Sequence, residues 1–200
     1  MNDNESEEGY LNFAVSLGEE FRRHALVALR PDPLFLLREI RWEHDGAHFG
    51  FEIEPGPVRD SPERSVMAEL LSRTYRARSR RVDTATWTIP APPENYQSVL
   101  EDKFPILRGS GLEFRGGWFD LVWATAEWLE SLGGDFYPLA QCKEKFGGLR
   151  LYGLMSGEAR DICDAAEYLS VHICEVCGRQ GMCTTNRGWM STHCAEHGDG

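Results

Sequence analysis

The segment from Cys174 to His197 reads CEVCGRQGMCTTNRGWMSTHCAEH and contains two pairs of possible metal ligands. Cys174 and Cys177 are separated by two residues, and so are Cys194 and His197. Two ligands at this spacing share one tight backbone turn, and two such turns complete the tetrahedron that structural zinc prefers. Gly178 lets the first turn bring backbone amides close to the sulfur atoms. The segment therefore predicts one zinc ion held by Cys174, Cys177, Cys194 and His197.

The predicted centre is closed, because three thiolates and one imidazole leave no position for a catalytic water. Cys183 and His193 lie between the two pairs, and either could replace one ligand. The donor set alone does not decide between zinc and iron. Trp189 lies in the connecting hairpin and is expected to pack against the turn of the first pair. The charges of this tail nearly cancel, so we expect the metal to stabilise a short segment rather than to support DNA reading.

The composition is typical of a globular protein and argues against several functions. The 200 residues are 42% hydrophobic and 26% charged, which suits one domain or a domain with a small appendage. The formal net charge of −11 argues against a surface built throughout for nucleic acid and favours a basic partner. No stretch approaches the roughly 20 apolar residues of a membrane helix. The acidic first residues do not resemble a signal peptide, so we expect a cytoplasmic protein with reduced cysteines.

Apolar spacing predicts an α+β fold with small antiparallel sheets, packed helices and a C-terminal appendage like a zinc knuckle or zinc ribbon. Helices are predicted over 10–29, after a cap at Asp60 or Ser61, over 118–132 and from Ser156 to Leu169. Strands are predicted over 40–44, 49–53, 82–89, 136–145 and 149–155, with a type I′ turn at Asp45-Gly46 and a turn around Gly147-Gly148. The predicted regions are a disordered acidic tail at 1–9, an N-terminal α+β region at 10–95, a helix-hairpin-helix core at 96–172 and a zinc-binding module at 173–200. The prolines of 90–93 mark the internal boundary.

A basic run interrupts this acidic chain at the end of the second predicted helix. It consists of Arg73, Arg76, Arg78, Arg80 and Arg81. One interpretation is a solvated helix end, where cations meet the negative pole of the helix dipole. The other is a contact site for phosphate or for an acidic protein. Both stay open on the sequence.

The predicted hairpin from Gln141 to Arg150 is the best candidate for a catalytic or recognition surface. Alternation places Gln141, Lys143 and Lys145 on one face of its first strand. This Gln-x-Lys strand, with Asp120 upstream, is similar to metal-dependent nucleases of the PD-(D/E)xK type. In those enzymes carboxylates hold Mg²⁺ and a lysine stabilises charge, but here a glutamine stands in place of an acid. A solvated face with cross-strand charge pairs and a partner-recognition surface are the other interpretations.

Four motifs follow one another in the second half of the chain. They are KFPILR at 103–108, GWFDL at 117–121, KEKFGGLRLY at 143–152 and the ligand pattern that contains Gly188-Trp189. In this order they resemble a widespread family of small bacteriophage and prophage proteins. The resemblance covers roughly residues 100–198 and implies an origin and an architecture rather than a reaction. Residues 1–95 carry none of these motifs.

Two functions are compatible with these patterns. The favoured one is a non-enzymatic phage or prophage accessory protein that binds a host or defence-system macromolecule, foremost a protein that itself binds nucleic acid. An anti-defence inhibitor would be of this kind, since an acidic protein can cover a basic surface. The alternative is a nucleic-acid enzyme or binder that uses the hairpin from Gln141 to Arg150 or the basic run from Arg73 to Arg81. That alternative requires carboxylates to converge beside Lys143, or the arginines to be free.

Overall fold

The computed structural model describes residues 3–29, 36–53, 63–133 and 138–198. The helices are α1 (Asp3–Ala28), α2 (Arg64–Ser79), α3 (Tyr96–Lys103), α4 (Phe119–Ser131) and α5 (Glu158–Ser170). The strands are β1 (Leu36–Glu43), β2 (Gly46–Glu52), β3 (Leu112–Glu113), β4 (Gln141–Lys145), β5 (Gly148–Tyr152), β6 (Met182–Asn186) and β7 (Trp189–His193). Short 3₁₀ turns cover Pro105–Leu107 and Gly116–Trp118. The predicted α+β class is confirmed.

The described strands form three small sheets. β1 pairs with β2 and β6 pairs with β7, both antiparallel. The third sheet has the order β3-β4-β5, in which β4 and β5 are antiparallel and the two residues of β3 run parallel to β4. The sheets were predicted to be antiparallel, and this short parallel pair is the one departure among the described strands.

One hydrophobic core joins the two regions that the prolines were expected to separate. α2 packs against α4 and α5, and buried side chains from α1, β2 and all three of these helices belong to the same cluster. Phe21 and Tyr75 from the first region and Trp118 from the second are fully buried within it. The segment at 90–93 therefore links two parts of one core and does not divide two cores.

The first helix begins earlier than the sequence suggested. Residues 3–9, expected to be disordered with the rest of the acidic tail, lie in α1. Tyr10 packs edge-on against Trp42 and Trp87, and Gly9 lies directly against the Trp87 ring. Aromatic contacts anchor the start of the helix, and acidic residues near a helix N-terminus are electrostatically favourable.

The predicted strand over 82–89 is wrong. The segment folds into turns with a single bridge between Asp83 and Thr88. The Asp83 side chain accepts the amide of Ala85, and its carbonyl accepts the amide of Trp87, which has a φ of 52°. Such local bonds of an aspartate compete with strand pairing, and they bend the chain so that Trp87 reaches α1.

Two predicted helix and turn details also differ. The β1–β2 loop consists of His44 and Asp45. Neither residue has a positive φ, so the turn is not type I′. The following residue, Gly46, has a positive φ of 115°. α2 begins at Arg64, and no side chain caps its first turn. The predicted capping residues Asp60 and Ser61 lie outside the described residues.

The outer edge of β5 is covered by side chains of α5. The amide of Leu149 donates to Ser170 Oγ over 2.8 Å, and the amide of Leu151 donates to Glu167 Oε1 over 2.8 Å. These amides point away from β4, so they would otherwise be unpaired. α5 thus supplies two of the hydrogen bonds that a neighbouring strand would give.

The basic run lies inside a network of ion pairs and is not a solvated helix end. Arg78 is 7% exposed, and its Nη1 lies 2.7 Å from Glu20 Oε1 of α1. Arg81 makes two bonds to Asp120 of α4, of 2.6 and 3.0 Å. The remaining three arginines are also paired: Arg73 with Glu69, Arg76 with Asp45 at 3.9 Å, and Arg80 with Asp45 and Glu127. These pairs tie α2 to α1, α4 and the β1–β2 turn.

The Arg81–Asp120 pair predicts an asymmetric effect of charge removal. Asp120→Asn should lower the free energy of unfolding by about 3 kcal/mol, because it leaves the mostly buried Arg81 guanidinium without its counter-charge. The control is Asp164→Asn, whose partner Arg160 is 59% exposed; this change should cost less than about 0.5 kcal/mol. Urea unfolding of the metal-loaded proteins measures both. Equal losses would show that the buried pair has no special structural role.

Candidate metal centre

The structure brings the four predicted ligands together. Their ligand atoms all lie within 4.8 Å of one another. Sγ of Cys177 is 3.7 Å from Sγ of Cys194, and Nδ1 of His197 is 3.7 Å from Sγ of Cys174 and 3.2 Å from Sγ of Cys194. Two sulfurs bound tetrahedrally at about 2.3 Å from one metal lie about 3.8 Å apart. The four side chains therefore lie close enough together to hold one four-coordinate metal ion.

Two similar backbone turns present these ligands. In the first, the amide of Gly178 donates to the carbonyl of Cys174, and Gly178 has a φ of 77°. In the second, the amides of His197 and Gly198 donate to the carbonyl of Cys194. We call the turn over 174–178 the first knuckle and the turn over 194–198 the second knuckle. The β6–β7 hairpin joins them, and its pairing fixes the distance between them.

The alternative ligands lie outside the centre. Sγ of Cys183 faces the carbonyl of Phe146 at 3.9 Å. Nε2 of His193 lies 3.0 Å from Oε1 of Glu175, a buried carboxylate. Burial raises the pKa of Glu175, and His193 and Arg115 oppose that shift. Neither Cys183 nor His193 belongs to the cluster of converging ligand atoms among the described residues.

The two thiols of the first knuckle shift each other's pKa in opposite directions. The Cys177 thiol donates a hydrogen bond to the sulfur of Cys174, and this bond, with backbone amides, lowers the pKa of Cys174 to about 4. The adjacent thiolate in turn raises the pKa of Cys177 above its ordinary value. One negative charge is thus stabilised by the neighbouring thiol and by backbone amides, while a second thiolate needs a cation beside it. Metal binding supplies that cation and releases protons.

The first knuckle is packed against the start of α4 with no side chain between the two backbones. The amide of Gly117 donates to the carbonyl of Glu175 over 2.8 Å. A Cβ at Gly117 would lie 2.2 Å from the carbonyl oxygen of Cys174. Trp118, fully buried, donates its indole N–H to the carbonyl of Ile173 over 2.8 Å. The metal-binding segment is therefore docked on the core.

Sequence reasoning missed these docking residues, although Gly117 and Trp118 stood in one of the quoted motifs. The signal was a glycine pair directly before a tryptophan, a pattern of close backbone approach beside a large buried ring.

The prediction that Trp189 packs on the first knuckle is wrong, since its side chain is 81% exposed. The tight turn of β6–β7 uses Arg187 and Gly188, and Trp189 directly after it points into solvent.

The hairpin from Gln141 to Arg150 forms with shorter strands than predicted, and the described residues show no metal-binding set of a nuclease on it. Lys143 pairs with Arg150 across the hairpin, and its ammonium lies 5.5 Å from the Tyr152 ring. The Lys145 ammonium lies 5.2 Å from the Phe146 ring, and Arg150 is 3.8 Å from Glu167. Asp120 is bound to Arg81 in the core. Within the described part of the chain, no three acidic, histidine or cysteine side chains converge beside Lys143.

A second convergent group is Glu43, Asp45 and His48, at the β1–β2 turn. Asp45 lies near two arginines of α2, Arg76 at 3.9 Å and Arg80 at 3.6 Å. A hydrogen bond from His48, 2.6 Å away, lowers the pKa of Asp45, and the two arginines act in the same direction. These cations oppose metal binding, so the group serves the ion pairs of α2.

Comparison with known proteins finds no matching protein family, no similar curated protein and no similar solved structure. In the parts of the chain that the structure describes, no helix is both long and apolar enough to cross a membrane.

Removal of one ligand should abolish stoichiometric metal binding. Cys177→Ser should reduce the metal content from one ion per chain to well below it, because a serine hydroxyl is a poor ligand at neutral pH. The matched control is Cys183→Ser, which should keep one ion per chain because Sγ of Cys183 lies outside the cluster. Elemental analysis of the gel-filtered proteins measures the content. Loss of metal in the control would place Cys183 among the ligands.

Two neighbouring glycines allow a direct test of the backbone contact. Gly117→Ala should lower the free energy of unfolding by about 1–3 kcal/mol, because the new methyl group meets backbone atoms that cannot move freely. Gly116→Ala should have little effect, since its Cβ would be 3.5 Å from the nearest atoms, in Tyr96. Urea unfolding and the rate of metal loss to a chelator measure both variants. Similar behaviour of the two would contradict the close approach.

Proposed function

We propose that this chain is a non-enzymatic accessory protein of a bacteriophage or prophage, with one structural zinc ion, that acts by binding a macromolecule of the host cell or of its defence systems. The favoured partner is a protein with a basic surface, such as one that binds nucleic acid. The cytoplasm of the bacterial host is where such a partner would be met.

The observation that supports this proposal most is the internal use of the arginine run. Its five side chains are matched with carboxylates of the same chain. The run therefore offers no free cationic patch for phosphates, although the chain as a whole carries a formal charge of −11. An acidic surface repels nucleic acid and attracts basic proteins, accelerating their association.

The closed donor set supports a structural role for the metal. Cys174, Cys177, Cys194 and His197 would fill all four positions, so neither water nor substrate has a place on the ion. Bound there, zinc would hold the two knuckles together and neutralise their thiolates. Thiolate and imidazole donors in a tetrahedral set suit zinc, and zinc needs no redox partner.

The identity of the metal can be tested on the purified protein. We expect one zinc per chain in protein produced in bacteria without added metal, and no visible absorption band. An iron-thiolate centre would be coloured and would show iron in elemental analysis. Iron as the main metal in freshly prepared protein would contradict the zinc assignment and leave the structural role of the centre intact.

The binding function is tested with the full-length, metal-loaded protein as bait. We expect one or a few bacterial proteins with basic surfaces to be retained from host lysate and released by raised salt, because screening weakens attraction between exposed charges. The captured protein is then purified and its affinity measured directly at two salt concentrations. Retention of DNA or RNA that disappears after nuclease treatment, without any protein, would favour the nucleic-acid alternative instead.

A further inference from the structure

The β4–β5 and β6–β7 hairpins carry exposed aromatic side chains at or next to their turns. Phe146 and Gly147 form the β4–β5 turn, and both have positive φ, of 56° and 72°. The turn was expected at Gly147-Gly148, but Gly148 pairs with Lys145. A bulky residue in the left-handed region is uncommon, and type I′ turns normally place asparagine or glycine there. Phe146 is nevertheless 63% exposed, so burial in this chain does not account for the aromatic ring.

The β4–β5 turn contacts strand β7. The carbonyl of Gly147 accepts the hydroxyl of Thr192, and a Cβ at Gly147 would lie 3.0 Å from the amide of Ser191 and 3.2 Å from Met190. Phe146 directly precedes Gly147, and Trp189 directly precedes Met190. The exposed rings of Phe146 and Trp189 therefore each lie one residue away from this contact.

An acidic cleft opens between the start of β7 and β3, beside Glu144 of β4. It has a volume of about 550 Å³, and its charged lining consists of Glu113, Glu144, Glu175 and Arg115, with Trp189 at its rim. The three carboxylates outnumber the single guanidinium. Glu144 is held in place because its Oε1 accepts the amide of Gly147 over 2.7 Å. Arg115 lies 3.9 Å from Glu175 and leaves the other two glutamates unmatched by any ion pair within the described residues.

We propose that this cleft is the docking surface for the partner, and that the partner presents an arginine together with apolar side chains. The inference rests on the proposed binding function and names the site that performs it. The guanidinium would enter between Glu113 and Glu144 and lie against the Trp189 ring. A guanidinium combines both contacts, since it forms paired bonds with carboxylates and stacks on aromatic faces.

The combination of groups selects this class of partner. The carboxylates disfavour phosphates, and hence nucleic acid, within the cleft. A purely apolar partner would leave the glutamates buried without counter-charge, which is costly. Exposed Met190 and Phe146 next to the cleft supply apolar contact area for the side chains beside the arginine. Aromatic anchors surrounded by polar groups are typical of protein interfaces.

A labelled peptide of alternating arginine and leucine provides the probe. The same peptide with citrulline in place of arginine has nearly the same shape but no charge. We expect the full-length, metal-loaded protein to bind the citrulline peptide at least about tenfold more weakly, as measured by fluorescence anisotropy. Equal binding of both peptides would overturn the charge recognition.

Matched variants locate the binding. Trp189→Ala, and the double change Glu113→Gln with Glu144→Gln, should each weaken binding of the arginine peptide about tenfold or more. Leu154→Ala removes another exposed apolar side chain, and Asp164→Asn removes a carboxylate on α5; both should leave the affinity within about twofold. Metal content and circular dichroism show that each variant is folded. Similar losses in all variants, or none in any, would overturn the proposal.

The lysate experiment separates this inference from the binding function. A partner that is retained equally by the unchanged protein and by Trp189→Ala would leave the binding function intact and place its site elsewhere. If the unchanged protein retains no partner although the peptide binds the cleft, the docking surface stands and the proposed biological role fails. Binding of a DNA oligonucleotide that depends on Trp189 would overturn the assignment of the cleft to a basic protein segment.

Discussion

The fold depends on one close approach, between the backbone at Gly117 and the backbone of the first knuckle. No side chain separates them, and the amide of Gly117 is bound to the carbonyl of Glu175. The contact places Cys174 and Cys177 against the core, so half of the metal centre is positioned by α4 and its preceding turn. The second knuckle is then brought to the first by the β6–β7 hairpin. Metal binding and core packing are for this reason expected to support each other.

Ion pairs also join parts of the chain that are distant in sequence. The arginines at the end of α2 form ion pairs with carboxylates of α1, the β1–β2 turn and α4. These pairs fix the orientation of the elements that they join. Arg78 reaches further, because its guanidinium also lies 3.3 Å from the carbonyl of Gly178 in the first knuckle. The N-terminal helix, which carries none of the motifs of the second half, is thereby connected to the metal-binding segment through one side chain.

The sequence was most informative for the metal ligands and for α4. Paired spacing identified Cys174, Cys177, Cys194 and His197, because a two-residue turn requires no distant partner. The same holds for α4, whose apolar stripe is regular. The ion pairing of the arginines was not predictable, because their acidic partners are up to 58 residues away in the chain. The prediction of a strand over 82–89 was wrong because local hydrogen bonds of Asp83 compete with strand pairing. An alternating sequence pattern does not by itself reveal whether a neighbouring strand exists.

The covering of β5 by α5 has a consequence for assembly. A strand with free amides along its edge can recruit a strand from another molecule, which is a common route to aggregation and to partner binding by strand addition. In this chain the amides of Leu149 and Leu151 already have acceptors in Ser170 and Glu167. This edge therefore cannot be extended unless α5 moves away from it. The hairpin can display Phe146 at its tip without offering its flank as a template for other chains.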